Sequence, residues 1–171
     1  MITDFIKVKD VSDEVIKEYA GSLLEELWKK YGFGTFYNGY LKIINPSEYK
    51  ELFEASYFQG NVSIPVFATA FGDIITWEKW QFLGIVRYRY GDNDVISDGF
   101  EYFIDDVTDG ELDEEYLSIR QYNNAVKKYG SLAFDECFGY TPLLALGSID
   151  NLKKVKIREH IALINEIVGE I

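Results

Sequence analysis

"IPVFATAFGDIITWEKWQFLGIVRYRYG", residues 64–91, decides the fold. Its runs "IPVFATAFG", "DIITWEKW" and "QFLGIVRYRYG" are short, apolar, aromatic or β-branched, and broken by Gly and charged turn residues. Successive strands joined by tight turns read this way, so the stretch predicts an antiparallel sheet. "DVISD" (94–98) extends it downstream, and "GYLKIIN" (39–45) reads as a strand upstream.

Helical periodicity surrounds this block. Over Val15–Tyr31, Tyr19, Leu23, Leu27 and Tyr31 recur at every fourth position beside Leu24 and Trp28. The spacing predicts one helix with an apolar face, terminated by Gly32 as a left-handed cap. "NPSEYKELFEAS" predicts a second helix, capped by Asn45, with Pro46 in its first turn and Glu48 completing a capping box. Beyond the strands, Phe100, Phe103, Ile104 and Val107 mark one helical face, with Asp98 and Glu101 as its expected capping box. Leu112, Tyr116, Ile119, Tyr122, Val126 and Tyr129 mark a longer helix ending at Gly130. Then come "FDECFGYTPLLALGS" (134–148), a strand at "KKVKI" and a last helix burying Ile157, Ile161, Ile164, Val168 and Ile171. With no repeat, low-complexity tract or linker, the expectation is a single α+β domain over 1–171: an antiparallel sheet flanked by helices at both ends of the chain.

Composition removes several functional classes. Hydrophobic content is 47% and aromatic content 16%, which supports a packed core and argues against disorder. No apolar run reaches the length of a membrane span, and "MITDFIKVKD" carries no secretion signal. The one cysteine, Cys137, fits a reducing compartment, so a cytoplasmic protein is expected.

Charge is the unusual feature. The net charge is −12, and its source is local. Between Arg89 and Arg120 stand eleven acidic residues and no Lys or Arg, leaving 18 acidic against 17 basic residues elsewhere. Such a segment repels nucleic acid and anionic membrane and attracts a cationic partner. Part of it is helix chemistry: Asp113, Glu114 and Glu115 suit a helix N-terminus, with Lys127 and Lys128 at the other end. Asp105, Asp106 and Asp109 fall at a helix C-terminus, where their charge opposes the dipole. These three, with Glu111 and then Asp92 and Asp94, are the candidate partner-binding residues.

Catalytic motifs are missing. A calcium loop needs D-x-[DN]-x-[DN]-G, and the pattern fails at Val107 counted from Asp105 and at Ile96 counted from Asp92. "GFGTFYNG" follows a helix and lacks a third, correctly spaced Gly, so it is no dinucleotide loop. There is no P-loop, G-x-S-x-G or H-E-x-x-H. Cys137 and His160 are the one conceivable thiolate pair, yet Asp135 and Glu136 beside the thiol raise its pKa. No catalytic residue, metal or cofactor is expected.

Three stretches in order, "YGFGTFYNGYLKIINPSEY" (31–49), "PVFATAFGDIITWE" (65–78) and "DECFGYTPLLALGS" (135–148), resemble the GAD-related domain of the type VI secretion DNase-immunity family. Trp28, Gly32, Gly34, Gly39, Pro46, Glu48 and Tyr49 match its first block, Ala70 to Ile74 its second, and Asp135 to Gly139, Pro142 and Leu144 to Gly147 its third. Ser148 and Tyr140 are mild departures. The resemblance implies a cytoplasmic protein that binds and neutralises a cognate toxin, often a nuclease, with no catalytic residue to carry over. On physical grounds the motif residues are structural: Gly32, Gly34 and Gly139 are expected at positive φ, Pro142 in a turn, and Phe71, Trp77, Phe138 and Leu144 in the core. Two other readings remain open. One is an enzyme or small-ligand binder with a pocket at Asp73, Trp77, Asp135 and Tyr140. The other is a regulatory module that binds a basic host protein.

Overall fold

A computed structural model describes residues 2–143 and 151–171. Seven strands form one antiparallel meander in chain order: β1 (Ile6–Lys9), β2 (Phe33–Phe36), β3 (Leu41–Ile43), β4 (Ile64–Thr69), β5 (Ile74–Glu78), β6 (Phe82–Arg87) and β7 (Asp92–Ser97). Neighbours in sequence are neighbours in space, so each connection is local. The α+β class and the antiparallel sheet follow the sequence pattern. β1 and β2 are additions that periodicity did not indicate, since β1 is exposed throughout and β2 lies in a glycine-rich run.

The helices are α1 (Asp13–Glu18), α2 (Leu23–Tyr31), α3 (Pro46–Ser56), α4 (Phe100–Asp109), α5 (Ile119–Tyr129) and α6 (Ile157–Val168). A π-helical turn (Asp113–Leu117) precedes α5, and a hairpin of β8 (Glu136–Tyr140) and β9 (Leu152–Lys156) precedes α6. Alternation along the strands gives the sheet two apolar faces. Phe67, Ile75 and Ile85 pack with Leu24 and Trp28 of α2 and with Phe100, Phe103 and Val107 of α4. Ala68, Ile74 and Val86, paired side by side across β4, β5 and β6, pack with Tyr49 and Phe53 of α3 and Ile157, Ile161 and Ile164 of α6. Helices therefore cover both faces. Val168, expected in the core, is 47% exposed.

Several local expectations need correction. The single helix over Val15–Tyr31 is two, because Gly21 takes positive φ and Ser22 caps a fresh start by accepting from the Glu25 N–H. The helix expected over Leu112–Tyr129 is likewise interrupted, by Ser118 at φ 56°. Asn45 caps α3 as expected, but Glu48 turns outward to Lys9 Nζ at 3.3 Å. Asp98 does not cap α4; Gly99 occupies that position with no side-chain bond. Gly32 has positive φ, but Gly34 and Gly139 do not. They are glycines because of crowding: a Cβ at Gly34 would lie 2.3 Å from the Ile6 carbonyl oxygen, and one at Gly139 would lie 2.6 Å from both His160 and Val155. Leu144, expected in the core, lies outside the described residues, as do Leu146, Gly147 and Ser148.

Candidate functional site: an acidic face on α4

α4 forms because its apolar residues fall on one stripe. Phe103 stacks on Phe67 with ring centroids 5.4 Å apart, and Phe100 meets Trp77 edge-on at 5.7 Å. That burial fixes what the opposite face presents. Glu101, Asp105 and Asp109, spaced by four, form an exposed acidic row, with Tyr102 (66% exposed) and half-buried Asp106 beside it. The helix ends at Gly110 in the left-handed conformation, whose N–H bonds back to Asp106 and Val107, and Glu111 N–H also reaches the Asp106 carbonyl. No basic residue stands in the last turn. Asp106 and Asp109 thus sit in the last turn, against the dipole, as the sequence implied, whereas Asp105 lies mid-helix, ahead of that turn. Among the described residues neither they nor exposed Glu111 form an ion pair.

The other two candidates are differently placed. Asp92 opens β7 and is held by Arg87 through two bonds, Nε to Oδ1 at 2.7 Å and Nη2 to Oδ2 at 2.8 Å. Its charge is already answered, and in turn it raises the Arg87 pKa. Asp94 accepts from the Tyr116 hydroxyl at 3.0 Å, which raises the tyrosine's pKa. Asp113 to Glu115 belong to the π-helical turn rather than to the first turn of α5. Asp113 accepts from the Tyr37 hydroxyl at 2.7 Å and Glu114 pairs with Arg120 at 3.2 Å, so side-chain partners replace the expected dipole role. Of the segment's acids, those on the outer face of α4 and Glu111 form a contiguous group with no side-chain partner; Asp98 and Glu115, also exposed, have none either but stand apart from that face. Glu101 and Tyr102 belong with the contiguous group and were missed, although the four-residue spacing of Glu101, Asp105 and Asp109 was visible.

Of the residues proposed for a small-ligand pocket, Asp73 and Tyr140 both lie near Arg89, whereas Trp77 and Asp135 stand elsewhere. Asp73, fully buried, accepts from Arg89 Nε at 2.9 Å. Trp77 lines a cleft with Val62 and Trp80. Asp135 is exposed and pairs with Lys156 at 2.7 Å. Tyr140 accepts from Gln121 at 2.7 Å, beside Arg89 and His160. The motif turns do structural work: the Phe138 N–H donates to the Ala70 carbonyl at 2.7 Å, and Gly72 lies against the Cys137 Sγ. Cys137 is fully buried, and burial pushes its thiol pKa up to about 12, which keeps it protonated and poorly nucleophilic. Burial also lowers the pKa of His160.

No helix among the described residues is long and apolar enough to cross a membrane. Residues 2–86 match the family model of the GAD-like domain, and residues 97–168 match that of the T6SS immunity protein Tdi1, C-terminal region. No curated protein matches the chain. The crystal structure of Atu4351 from Agrobacterium tumefaciens has a similar fold, with a TM-score of 0.69 and 15% identity over 94% of this chain and 84% of that one. Two consecutive matches account for nearly the whole sequence, and residues of both pack together in the core on each side of the sheet: the chain belongs to the GAD-related family of type VI secretion immunity proteins.

Proposed function

We propose that the protein neutralises a cognate type VI toxin by stoichiometric binding, with no turnover of its own, and that it does so in the cytoplasm through the acidic face of α4 and Glu111. The partner is then cationic, and a nuclease is the fitting class because a site that holds phosphate is basic. One observation carries the reading. No described cation forms an ion pair with Asp105, Asp106 or Asp109, and two of them, Asp106 and Asp109, stand in the last turn of α4 where they oppose the helix dipole. Each costs about 0.3–1 kcal/mol on that account, a small liability that folding does not require and that an electrostatic docking surface explains. Asp92 and Asp94, already bonded internally, contribute to the field more than to direct contact. The buried thiol, and the separation of Trp77 and Asp135 from Asp73 and Tyr140, favour binding over catalysis.

The test is protection. The toxin encoded beside this chain's gene, expressed in a bacterial host, is expected to arrest growth, and co-expression of this protein to restore it. Replacing Asp105, Asp106, Asp109 and Glu111 together by Asn, Asn, Asn and Gln is expected to abolish protection at low expression while the protein remains folded. Full protection by the quadruple variant at every expression level would remove the acidic face from the site.

A further inference from the structure

A cleft of about 400 Å³ opens between α2 and α4. Leu23 and Leu27 form one wall and Ile104 the other. Glu26, Glu101 and Asp105 stand on its rim, all exposed and all without an ion-pair partner among the described residues. Lys30 also lines the cleft, over the Tyr31 ring at 5.1 Å and with no ion-pair partner among the described residues, so the rim carries three carboxylates against one cation. Leu23 is 51% exposed at a position that a polar residue would fill without cost to the core. Apolar walls beneath a rim that is negative on balance are complementary to one chemistry: an apolar side chain carried on a positively charged segment.

Resting on the proposed function, we infer that this cleft takes an apolar side chain of the toxin, from a segment with Lys or Arg on either side of it. The rim and the floor act on different steps. Charge steers the encounter and sets the association rate, whereas apolar burial slows departure and sets the dissociation rate. The surface therefore continues from the outer face of α4 across to α2, and the partner is amphipathic as well as basic.

Leu23→Asp separates the two contributions, because it removes apolar contact while adding a carboxylate to the rim. It is the first residue of α2, directly after the Ser22 cap, where a negative charge suits the helix dipole, so α2 persists; Leu23→Ser gives the same loss of contact without added charge. Rate constants are measured against the purified toxin domain encoded by the adjacent gene. Both variants are expected to dissociate at least about tenfold faster, the scale of losing one buried leucine contact, and Leu23→Asp is expected to associate no more slowly than the parent. Unchanged or slower dissociation of both variants overturns the inference. Asp106→Asn with Asp109→Asn, outside the cleft, is the reference. If that pair slows association while the Leu23 variants leave dissociation untouched, the acidic face stands and the cleft falls. If neither set changes either rate constant, both fall.

Discussion

Lys42 shows how one residue carries a pH dependence through the whole fold. It lies on β3, fully buried, with its Nζ donating to the Glu136 carbonyl on β8. Burial lowers its pKa from 10.5 to about 8. Between those values the folded chain binds fewer protons at this site than the unfolded chain, so stability rises with pH across that window and falls as pH drops through about 8. A shift of this size corresponds to about 3 kcal/mol between the two ends. Lys42→Met removes the titration. Thermal unfolding of both proteins from pH 7 to 10.5 is expected to show the parent gaining stability relative to the variant as pH rises. A constant difference across the range would show that Lys42 is not held away from its ordinary pKa.

At the scale of the element, α4 couples a requirement of the core to a property of the surface. Phe100, Phe103 and Val107 fix its rotation, and the remaining positions were available for charge without loss of packing. Replacing Asp105, Asp106 and Asp109 with Asn removes two unfavourable dipole contacts, at Asp106 and Asp109, and some self-repulsion, and deletes no described ion pair. The melting temperature is expected to stay the same or rise slightly, by the equivalent of about 0.3–1 kcal/mol per residue at most. A fall of several degrees would mean that these carboxylates hold the fold.

Legibility in the sequence followed the length of each element and the locality of its signal. β4 to β7, α3, α4 and α6 were readable because each repeats its period several times over. β1 and β2 were not: β1 is exposed throughout, and β2 lies in a glycine-rich run, whereas the shorter β3 stood out because the apolar run "YLKII" extends beyond it. The breaks at Gly21 and Ser118 were hidden because the apolar spacing runs through both, and a backbone interruption leaves the pattern intact. The acidic candidates were readable as composition. Which of them are answered by Arg87, Tyr116, Tyr37 and Arg120 was not, because those partners are set by tertiary contact across as many as 76 positions. Gly139 was placed correctly in a motif but for a different reason, since the crowding by His160 exists only once β8 and α6 have packed.

Across the whole molecule, the two family matches meet near the β6–β7 hairpin, inside a single sheet. Phe67 and Trp77 from the first region bury against Phe100 and Phe103 from the second, so neither region has a complete core. The chain is expected to unfold in one cooperative step. Trp28, Trp77 and Trp80 all lie in the first region, whereas α4, α5 and α6 lie in the second. Tryptophan fluorescence in urea therefore reports the first region, whereas far-ultraviolet circular dichroism reports both, and their midpoints are expected to coincide. Separated transitions would divide the chain into two folding units.

The charge distribution is likewise a property of the whole, being near neutral outside residues 90–119 and strongly negative within them. The most direct measurement is the rate of association with the cognate toxin across a series of salt concentrations, for the parent and for the variant with Asp105, Asp106 and Asp109 replaced by Asn. Steering by this face predicts an association rate that falls steeply with salt for the parent, a slower rate and shallower slope for the variant, and convergence of the two at high salt as screening shortens the reach of the charges. Identical rates and identical salt slopes for the two proteins would contradict it.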